Sequence, residues 1–367
     1  MRIVELFLAG FRNYDETRIR LDPGVNLLLG ENAQGKTNLL EAVTYLSAGR
    51  SFRSRKETEL IGFGREFAEL TARVYSNGRE REIRILLFSG RKKRQLFLSG
   101  VKKKTFGELA GVLTSVLFCP EDLLILKTGA AGRRRMMDQA LCQLSPSYDH
   151  ALSEYTRVLE HKGRILKDRF DDPSLADLLP EFNEQLCRYG SQIIHARGSY
   201  MARLSPEASR FHRAFSGDRE DLSVAYRTVS TVADPTAPAE TIYGELRDHL
   251  TAHWQAELES CQCLTGPHRD DFEAEINEIS VKSFGSQGQT RTAAISLKLA
   301  EREIFRQTTG EEPVLLLDDV LSELDGSRQD FVLNHLNSGQ VFITCCETDR
   351  LTDIGRTFLV DRGTVRE

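Results

Sequence analysis

The chain has no long apolar run. No stretch approaches the ~20 residues that a membrane helix needs, which excludes a membrane bundle. Met1–Phe7 alternates and includes a glutamate, which does not fit a signal peptide. The seven cysteines lack zinc spacing, since one residue separates Cys261 from Cys263 and Cys345 adjoins Cys346. These absences predict a cytoplasmic protein with unpaired thiols and no membrane partner.

An excess of basic charge is also absent. The net charge of −5 excludes a histone-like nucleic-acid binder, although it leaves room for a local basic surface. No helix-turn-helix or zinc-finger pattern occurs, so sequence-specific DNA reading is not expected. Repeats, low-complexity tracts and sustained heptads are missing as well. The 367 residues, of which 40% are hydrophobic and 28% charged, suit a globular protein of roughly two domains.

The apolar pattern predicts a discontinuous α/β domain. Strand patterns fill the two chain ends, at Arg2–Ala9, Thr17–Leu21, Gly24–Leu29, Glu69–Tyr75, Arg81–Phe88, Phe272–Ile276, Val314–Leu317, Val341–Thr344 and Phe358–Val360. Helical spacing fills the middle, at 182–204 and 242–258, with breaks expected at Pro173, Pro180, Pro206, Pro235 and Pro238. We therefore expect an N-terminal half of the α/β domain at 1–118, an inserted helical arm at 119–265, and a C-terminal half at 266–367.

A phosphate-binding loop is the strongest motif. Gly30–Thr37 matches G-x-x-x-x-G-K-[ST] at every fixed position, after the apolar strand Val25–Leu29 and before a helix predicted over Gln34–Ala48. Backbone N–H groups and the helix N-terminus of such a loop hold phosphate oxygens. We expect Lys36 to reach the β- and γ-phosphates and Thr37 to bind Mg²⁺. These flanks disfavour the alternative, a glycine-rich turn that binds nothing.

Two adjacent acids strengthen this interpretation. The apolar strand Val314–Leu317 ends in Asp318 and Asp319. Such an ending is common, but beside a phosphate loop it predicts that Asp318 holds Mg²⁺ through water and that Asp319 acts as general base. Most of the chain lies between the two motifs, which indicates a large insertion between nucleotide-binding strands.

Two further segments resemble motifs of ABC-type ATPases. Ser286–Gln289 opens a helical run, Thr292–Phe305, and resembles the signature motif, while Ser322–Asp325 resembles the D-loop. Taken alone, the first segment fits a polar turn before a helix. The resemblance implies contacts to the ATP that the opposite subunit binds, made by Ser286, Gly288, Gln289 and Asp325.

Within that superfamily the chain resembles the RecF family of bacterial DNA replication and repair ATPases. The resemblance rests on Phe11–Tyr14, Gly30–Thr37, Gly49–Arg53, Pro120–Leu123, Arg133–Arg135, Gly266–Asp271, Phe284–Gln289 and Leu315–Asp325. These segments span almost the whole chain, and the middle is too short for the long coiled coil of SMC-type relatives. The implied fold is an ABC-type P-loop ATPase head, built from both chain ends, with an inserted helical arm.

The same resemblance implies a function. It implies ATP and Mg²⁺ as cofactors, an ATP-dependent homodimer, a weak DNA-stimulated ATPase, DNA binding at single-strand/double-strand junctions, and support of recombinase loading and the SOS response with RecO and RecR as partners. The implied ATP contacts are Arg12, Asn13, Gly30, Glu31, Asn32, Ala33, Gln34, Gly35, Lys36 and Thr37.

Two departures from the ABC pattern predict slow hydrolysis. Many ABC-type ATPases place a histidine after the strand that follows the D-loop, whereas Ile343–Glu347 contains none. Many also have Asp-Glu where this chain has Asp318 and Asp319, and the second aspartate has a shorter reach than a glutamate. Both departures suit a slow, switch-like ATPase.

DNA contacts are expected at basic clusters. Residues 79–104 contain ten Lys/Arg against two acids, and Arg91, Lys92, Lys93 and Arg94 fit a hairpin tip. Such a cluster binds phosphates without reading sequence, although a solvated basic turn explains it equally well. Arg50, Arg53 and Arg55 form a second candidate, close to the nucleotide. For Arg133–Arg135 the sequence leaves open a place at the nucleotide or in the arm, and a lone histidine such as His268 is more often structural.

Three other functions remain open from the residues alone. A transporter-type ABC ATPase would dock on membrane subunits and leave the basic cluster unexplained. An SMC-like ATPase would need long coiled coils. A nucleotide-binding scaffold would bind ATP without hydrolysing it. Stimulation of hydrolysis by DNA or by a membrane partner, and single-turnover hydrolysis with Mg²⁺, distinguish these functions.

Overall fold

The computed structural model describes residues 1–54, 56–90, 94–335, 338–346 and 354–367. In those ranges the strands are β1 (Arg2–Phe11), β2 (Tyr14–Arg20), β3 (Val25–Leu29), β4 (Phe67–Ser76), β5 (Arg79–Phe88), β6 (Gln95–Leu98), β7 (Val101–Lys103), β8 (Ser115–Phe118), β9 (Leu222–Arg227), β10 (Asp271–Ile276), β11 (Ile279–Ser280), β12 (Val314–Leu317), β13 (Val341–Cys345), β14 (Arg356–Asp361) and β15 (Thr364–Arg366). The helices are α1 (Lys36–Ala48), α2 (Ala130–Leu144), α3 (Pro146–Asp168), α4 (Leu179–Ser216), α5 (Ala239–Ala252), α6 (Trp254–Ser260), α7 (Val281–Phe284), α8 (Gln287–Thr309) and α9 (Gly326–Asn334).

The chain divides into two compact units. The first consists of Met1–Leu124 and Ala294–Glu367, and the second of Ile125–Ala293. The expected arm ended at residue 265, whereas the second unit continues to Ala293. The reason is strand pairing, since β10 pairs with β9 and brings the following residues with it. Because β9 was not predicted as a strand, the sequence pattern could not place this boundary.

The first unit contains two six-stranded sheets. One is antiparallel, in the order β2-β1-β4-β5-β6-β7. The other has the order β15-β14-β3-β13-β12-β8, and its strands are parallel except for β15. Buried residues of both sheets and of α1 form one apolar core, including Leu6, Leu40, Val43, Leu316 and Phe342.

The parallel order fixes where the two principal motifs meet. Strand β13 lies between β3 and β12 and pairs with both in parallel. The carboxyl ends of β3 and β12 therefore lie at the same edge of the sheet, where ligands of open α/β sheets bind. Both strands are buried apolar runs, as expected for parallel strands that are covered on two faces.

The second unit is mainly helical. Helices α2 to α6 accompany a three-stranded antiparallel sheet of order β11-β10-β9. Inside it, the buried side chains of Lys162 and Glu257 form an ion pair. The predicted helical runs are confirmed as α4 and as α5 with α6. The expected break at Pro206 is wrong, because α4 continues through this proline from Leu179 to Ser216.

Most local predictions are confirmed with small shifts. The predicted helix over 34–48 begins at Lys36, because Gly35 adopts a φ of 122° that an α-helix does not admit. The alternating strands at 69–75 and 81–88 are β4 and β5, paired along their whole length. Across the described ranges, none of the helices is both long and apolar enough to span a membrane.

Candidate functional site

The loop between β3 and α1 is built on glycines. Gly30 has a φ of 157°, and a Cβ there would lie 2.2 Å from the Val360 carbonyl oxygen. Gly35 has a φ of 122°, and a Cβ there would lie 2.7 Å from the Asn13 side-chain nitrogen. Only glycine fits either position without strain. The Tyr14 hydroxyl, buried in the first unit, donates to the Gly35 carbonyl oxygen at 2.9 Å and holds the loop against β2.

Lys36 lies inside this loop. Its ammonium donates to the carbonyl oxygens of Gly30 and Glu31, at 2.6 and 3.0 Å. Its Nζ also lies 3.4 Å from the Sγ of Cys346, whose thiol is 3.1 Å from the side-chain oxygen of Asn32. The loop thus curls around a largely buried positive charge, as a site for phosphate requires.

Hydroxyl groups link the loop to the acid pair. The Thr37 hydroxyl donates to Asp318 Oδ1 at 2.9 Å. Thr344, on β13, lies 3.0 Å from Asp318 Oδ1 and 3.2 Å from Asp319 Oδ1, and its oxygen accepts the Asp319 N–H at 2.8 Å. Parallel pairing of the three strands therefore brings Thr37 close to Asp318 and Thr344, which lie hundreds of residues further along the chain.

The two aspartates differ in their surroundings. Burial raises the pKa of Asp318 above its ordinary value, while hydrogen bonds from Thr37 and Thr344 oppose this rise. Asp319 is more exposed and has a φ of 50°, in the left-handed region that aspartate tolerates. Asp318 is thus held in place by two hydroxyl groups, while the next carboxylate faces the cleft.

A cleft of about 390 Å³ joins these parts. Its lining consists of Asn32, Ala33, Gln34, Gly35, Lys36, Thr37, Asn38, Arg53 and Asp319. Arg53 donates to the Asn38 side-chain oxygen at 3.1 Å, and its charge opposes the rise in the pKa of Asp318. The sequence predicted Arg53 as a DNA contact close to the nucleotide, and the structure places it in this cleft, while its role at DNA stays a prediction.

The donor set of the cleft suits a phosphate with a hard cation. Lys36 and Arg53 supply positive charge, and α1 begins where the loop ends. Thr37 and Asp318 supply neighbouring oxygen atoms, the ligand type that Mg²⁺ prefers. In the described part of the chain, no cluster of three or more His, Cys, Asp or Glu side chains offers a separate metal site.

Arg12 and Asn13 occupy different places. Arg12 donates to both carboxylate oxygens of the buried Glu41 at 2.8 Å and to the Glu59 carbonyl oxygen. Asn13 donates to the Gln34 carbonyl oxygen at 2.9 Å and accepts from Asn38 at 2.8 Å. Asn13 thus stabilises the phosphate loop through Gln34, whereas Arg12 links Glu41 on α1 to the segment that contains Glu59. Their contact with ATP stays a prediction.

The basic residues expected at DNA are only partly described. Strands β5 and β6 form the expected antiparallel hairpin. Four of these basic residues lie outside the described residues: Arg55, Arg91, Lys92 and Lys93. Arg94 donates to Glu57 Oε1 at 2.6 Å and to the Gly49 carbonyl oxygen at 3.0 Å, so its guanidinium is engaged within the unit. Arg50 is half-buried. Their roles at DNA stay predictions.

The signature-like segment begins α8 and lies in the second unit. The Ser286 hydroxyl accepts the Gln289 N–H at 3.2 Å, and the Gln289 side-chain oxygen accepts the Ser286 N–H at 3.0 Å. These two bonds form a capping box at the start of the helix. Asp325, in the first unit, caps α9 by accepting from the Arg328 N–H at 3.0 Å. For Ser286, Gly288, Gln289 and Asp325 the contact in trans stays a prediction.

Two residues left open by the sequence are structural. Arg133 is buried and donates to both carboxylate oxygens of Asp271, at 2.6 and 2.8 Å. His268 lies within hydrogen-bond distance of the Tyr155 hydroxyl and the Cys263 carbonyl oxygen. Burial lowers the pKa of His268 to about 4, so its imidazole is neutral near pH 7. Both side chains hold the second unit together.

Comparison with known proteins agrees with this geometry. Residues 2–363 match the family described as the RecF/RecN/SMC N terminal domain. The DNA replication and repair protein RecF of Acetivibrio thermocellus is 40% identical over 350 residues, which cover 95% of this chain and 94% of the relative. The protein of the same name from Symbiobacterium thermophilum is 40% identical over 353 residues, which cover 96% and 93%.

The chain belongs to the RecF family. A solved structure described as the recombination mediator protein RecF-ATP in the RecFOR pathway matches this RecF-family chain with a TM-score of 0.90 and 36% identity, covering 99% of this chain and 96% of that one. An Smc head domain from Pyrococcus furiosus matches with a TM-score of 0.54 at 15% identity, covering 99% and 95%, which shows the shared fold alone.

Sequence reasoning missed two residues at the site, Asn38 and Cys346, which carry no motif of their own. Asn38 lines the cleft and accepts from Arg53, and Cys346 lies beside Lys36. For Cys346 a signal existed, since it follows the strand after which many ABC-type ATPases have a histidine. For Asn38 the signal was its place on the first turn of α1, facing the phosphate loop.

Proposed function

We propose that this RecF-family chain is an ATP-dependent DNA-binding protein of replication and repair that hydrolyses ATP slowly. The observation that carries the proposal is the 2.9 Å contact between Thr37 and Asp318, because it joins the phosphate loop and the acid pair in one cleft. The names of the RecF relatives and the ATP named in a solved RecF structure support the same function.

Each side chain of the cleft has a role in this proposal. On ATP binding, Lys36 exchanges its contacts with the Gly30 and Glu31 carbonyls for phosphate oxygens. Thr37 and Asp318 would hold Mg²⁺, which would supply charge neutralisation at the phosphates when bound. Asp319 orients and deprotonates water as general base. Arg53, which also lines the cleft, neutralises phosphate charge there.

Slow hydrolysis follows from how the base is held. Asp319 lies within 3.2 Å of the Thr344 hydroxyl, and its N–H is bonded to the same oxygen, which restrains its short side chain. Cys346 follows β13, and a thiol is a weaker hydrogen-bond partner than the imidazole of many ABC-type ATPases. Together these features favour a long-lived ATP state over rapid turnover.

ATP in this state brings two copies of the chain together. We assign Ser286, Gly288, Gln289 and Asp325 to contacts with the nucleotide of the opposite copy, by resemblance to ABC-type ATPases. A two-fold dimer would enclose two ATP molecules between identical surfaces. Non-sequence-specific binding to single- and double-stranded DNA, including gap junctions, would follow dimerisation. RecO and RecR are the partners proposed for recombinase loading and the SOS response.

The decisive experiment is sizing of the full chain with Mg²⁺ and a slowly hydrolysed ATP analogue, with and without gapped DNA. We expect a monomer without nucleotide, a dimer with the analogue, and a dimer–DNA complex when both are present. A chain that stays monomeric under every condition, or that dimerises equally without nucleotide, contradicts the proposal. Turnover that responds to membrane partners but not to DNA would favour the transporter-type alternative, and failed single-turnover hydrolysis would favour the scaffold.

The DNA contact has a separate test. Reversal of charge at Arg91, Lys92 and Lys93 should weaken DNA binding about equally for all sequences. Each lost phosphate contact should also flatten the log–log salt dependence by ~0.9 on duplex DNA. Arg94 is left unchanged because its pairing with Glu57 holds the first unit together. Unchanged affinity and slope would exclude this hairpin and make the cluster of Arg50, Arg53 and Arg55 the leading candidate.

A further inference from the structure

A carboxylate lies behind the signature segment in the second unit. Glu220 Oε1 accepts from the Gln289 side-chain nitrogen at 2.9 Å. Its other oxygen, Oε2, is 3.0 Å from Nε2 of His212. The same Gln289 amide accepts the Ser286 N–H through its oxygen. An unbroken row of hydrogen bonds thus runs from a buried helix residue to the first residue of the signature segment.

The chemistry of this row allows only one orientation of the Gln289 amide. A carboxylate only accepts hydrogen bonds, and a backbone N–H only donates them. The amide nitrogen must therefore face Glu220, and the amide oxygen must face the Ser286 N–H. If the amide turned over, two donors would meet at Ser286 and two acceptors at Glu220. The carboxylate thus selects the rotamer that closes the capping box.

His212 holds this carboxylate in its turn. It lies on α4 and is fully buried. Burial lowers its pKa, and Nε2 faces the carboxylate, so this nitrogen carries the proton that is donated to Glu220. The carboxylate therefore has one donor on each oxygen, and both donors come from packed elements of the second unit.

The backbone that carries Glu220 is pinned from two sides. Its N–H donates to the hydroxyl of Ser216, the last residue of α4, at 3.2 Å. The next residue, Asp221, donates its N–H to the Asn277 side chain and accepts the Asn277 N–H, both at 2.9 Å. Asn277 lies in the turn that joins β10 to β11. Hydrogen bonds therefore fix the backbone of the short loop between α4 and β9, and with it the position of the Glu220 carboxylate.

We propose that Glu220 is a positioning residue of the signature segment, which fixes the Gln289 amide and through it the first turn of α8 and the Ser286 hydroxyl. This inference rests on the proposed function, because it assigns the positioned segment to the ATP of a second copy. Glu220 does not touch nucleotide in this scheme. It lies behind the segment and sets its conformation before the two copies meet, which lowers the ordering needed at the interface.

The first test measures the segment without nucleotide. In Glu220→Ala, hydrogen exchange in the peptide that covers residues 284–291 should accelerate on the order of 2- to 30-fold, the range expected for loss of a helix cap. The matched control is Glu207→Ala, which removes a carboxylate paired with Arg210 three residues further along α4 and should leave this exchange unchanged. Unaltered exchange in Glu220→Ala would overturn the proposal.

The second test separates positioning from general stability. Gln289→Glu alone places two carboxylates face to face and should accelerate exchange as much as the alanine variant or more. Adding Glu220→Gln restores the row with its polarity reversed, because the new amide at position 220 donates to the new carboxylate at position 289. His212 still donates to the side-chain oxygen at position 220. Exchange in the double variant should return to within about threefold of wild type on the scale of a single side-chain bond. No recovery in the double variant would refute the assigned hydrogen-bond row.

The third test links the row to function. Glu220→Ala should weaken ATP-dependent dimerisation by the square of the factor by which it lowers the ordered fraction of the segment, because each dimer contains two copies. ATP affinity of the monomer should stay unchanged. Ser286→Arg, measured in parallel, distinguishes a failure of the positioning inference from a failure of the proposed function. If Ser286→Arg blocks dimerisation and Glu220→Ala does not, the positioning inference is wrong and the proposed function stands. If Ser286→Arg dimerises like wild type, the proposed function fails first.

Discussion

The two helix starts that serve the proposed ATP site are built in opposite ways. Helix α1 begins after Gly35, which has no side chain to cap the first turn. Helix α8 begins with a capping box in which Ser286 and Gln289 satisfy each other's backbone N–H groups. The first arrangement leaves backbone donors for an anion, whereas the second fixes a preformed surface. A ligand completes the start of α1, while protein side chains complete the start of α8.

The largest effect is expected where the chemistry lies, next to α1. Asp319→Asn keeps the shape of the side chain but removes the base, so hydrolysis should fall about 10²- to 10⁴-fold. ATP should still bind, and the ATP-bound dimer should become long-lived. Single-turnover hydrolysis and sizing with ATP measure both quantities. Wild-type turnover in this variant would exclude Asp319 as the base.

Loss of the charge at the start of α1 should abolish ATP binding in practice. Lys36→Ala removes the ammonium that the loop encloses, and we expect affinity to fall on the order of 10²- to 10³-fold, as for removal of one partner from a buried charged contact. Calorimetry with ATP and Mg²⁺ is the measurement. Lys167→Ala, on α3 of the second unit, is the control and should bind ATP normally. Equal affinity in the two variants would show that Gly30–Thr37 is not the phosphate site.

Disruption at the start of α8 should leave ATP binding intact and remove dimerisation. Ser286→Arg adds a bulky side chain to the proposed interface, and overpacking of about 1–3 kcal/mol would weaken the dimer roughly 5- to 150-fold for each of its two sites. Sizing with the ATP analogue measures the loss. A mixture of Ser286→Arg and Lys36→Ala chains should recover part of the ATPase activity, because one composite site then has an intact loop opposite an intact signature segment. Normal dimerisation of Ser286→Arg alone would contradict the assignment.

The smallest effects should come from paired glycine substitutions. Gly35→Ala meets Asn13 and Tyr14 at a φ of 122° and should destabilise the first unit by about 1–3 kcal/mol while weakening ATP binding. Gly163→Ala, inside α3 with open space around its Cβ, should instead stabilise by about 0.5–1 kcal/mol. Urea unfolding of the two variants gives both signs. A neutral Gly35→Ala would mean that the start of α1 tolerates a side chain.

Local sequence patterns predicted most of the strands and helices and the residues at the centre of the site. Alternation predicted β4 and β5, apolar runs predicted β3 and β12, and the loop motif placed Lys36 and Thr37. These succeed because period and spacing are local properties of the chain. The extent of the second unit was missed, because the pairing of β9 with β10 joins segments far apart in sequence. The helix break predicted at Pro206 was wrong for a similar reason, because packing of α4 outweighs the local preference of proline.

The sequence by itself determined that a phosphate loop, an acid pair and a signature-like helix start exist in one chain of the RecF family. Only the tertiary structure decided the partner of each charge. Arg12 pairs with Glu41, Arg94 with Glu57, and Arg53 lines the cleft, and the sequence pattern gave none of these contacts. Glu220 gave no signal at all, yet it accepts from Gln289. The reason is physical: a side chain's type is local, whereas the partner that satisfies it comes from long-range packing.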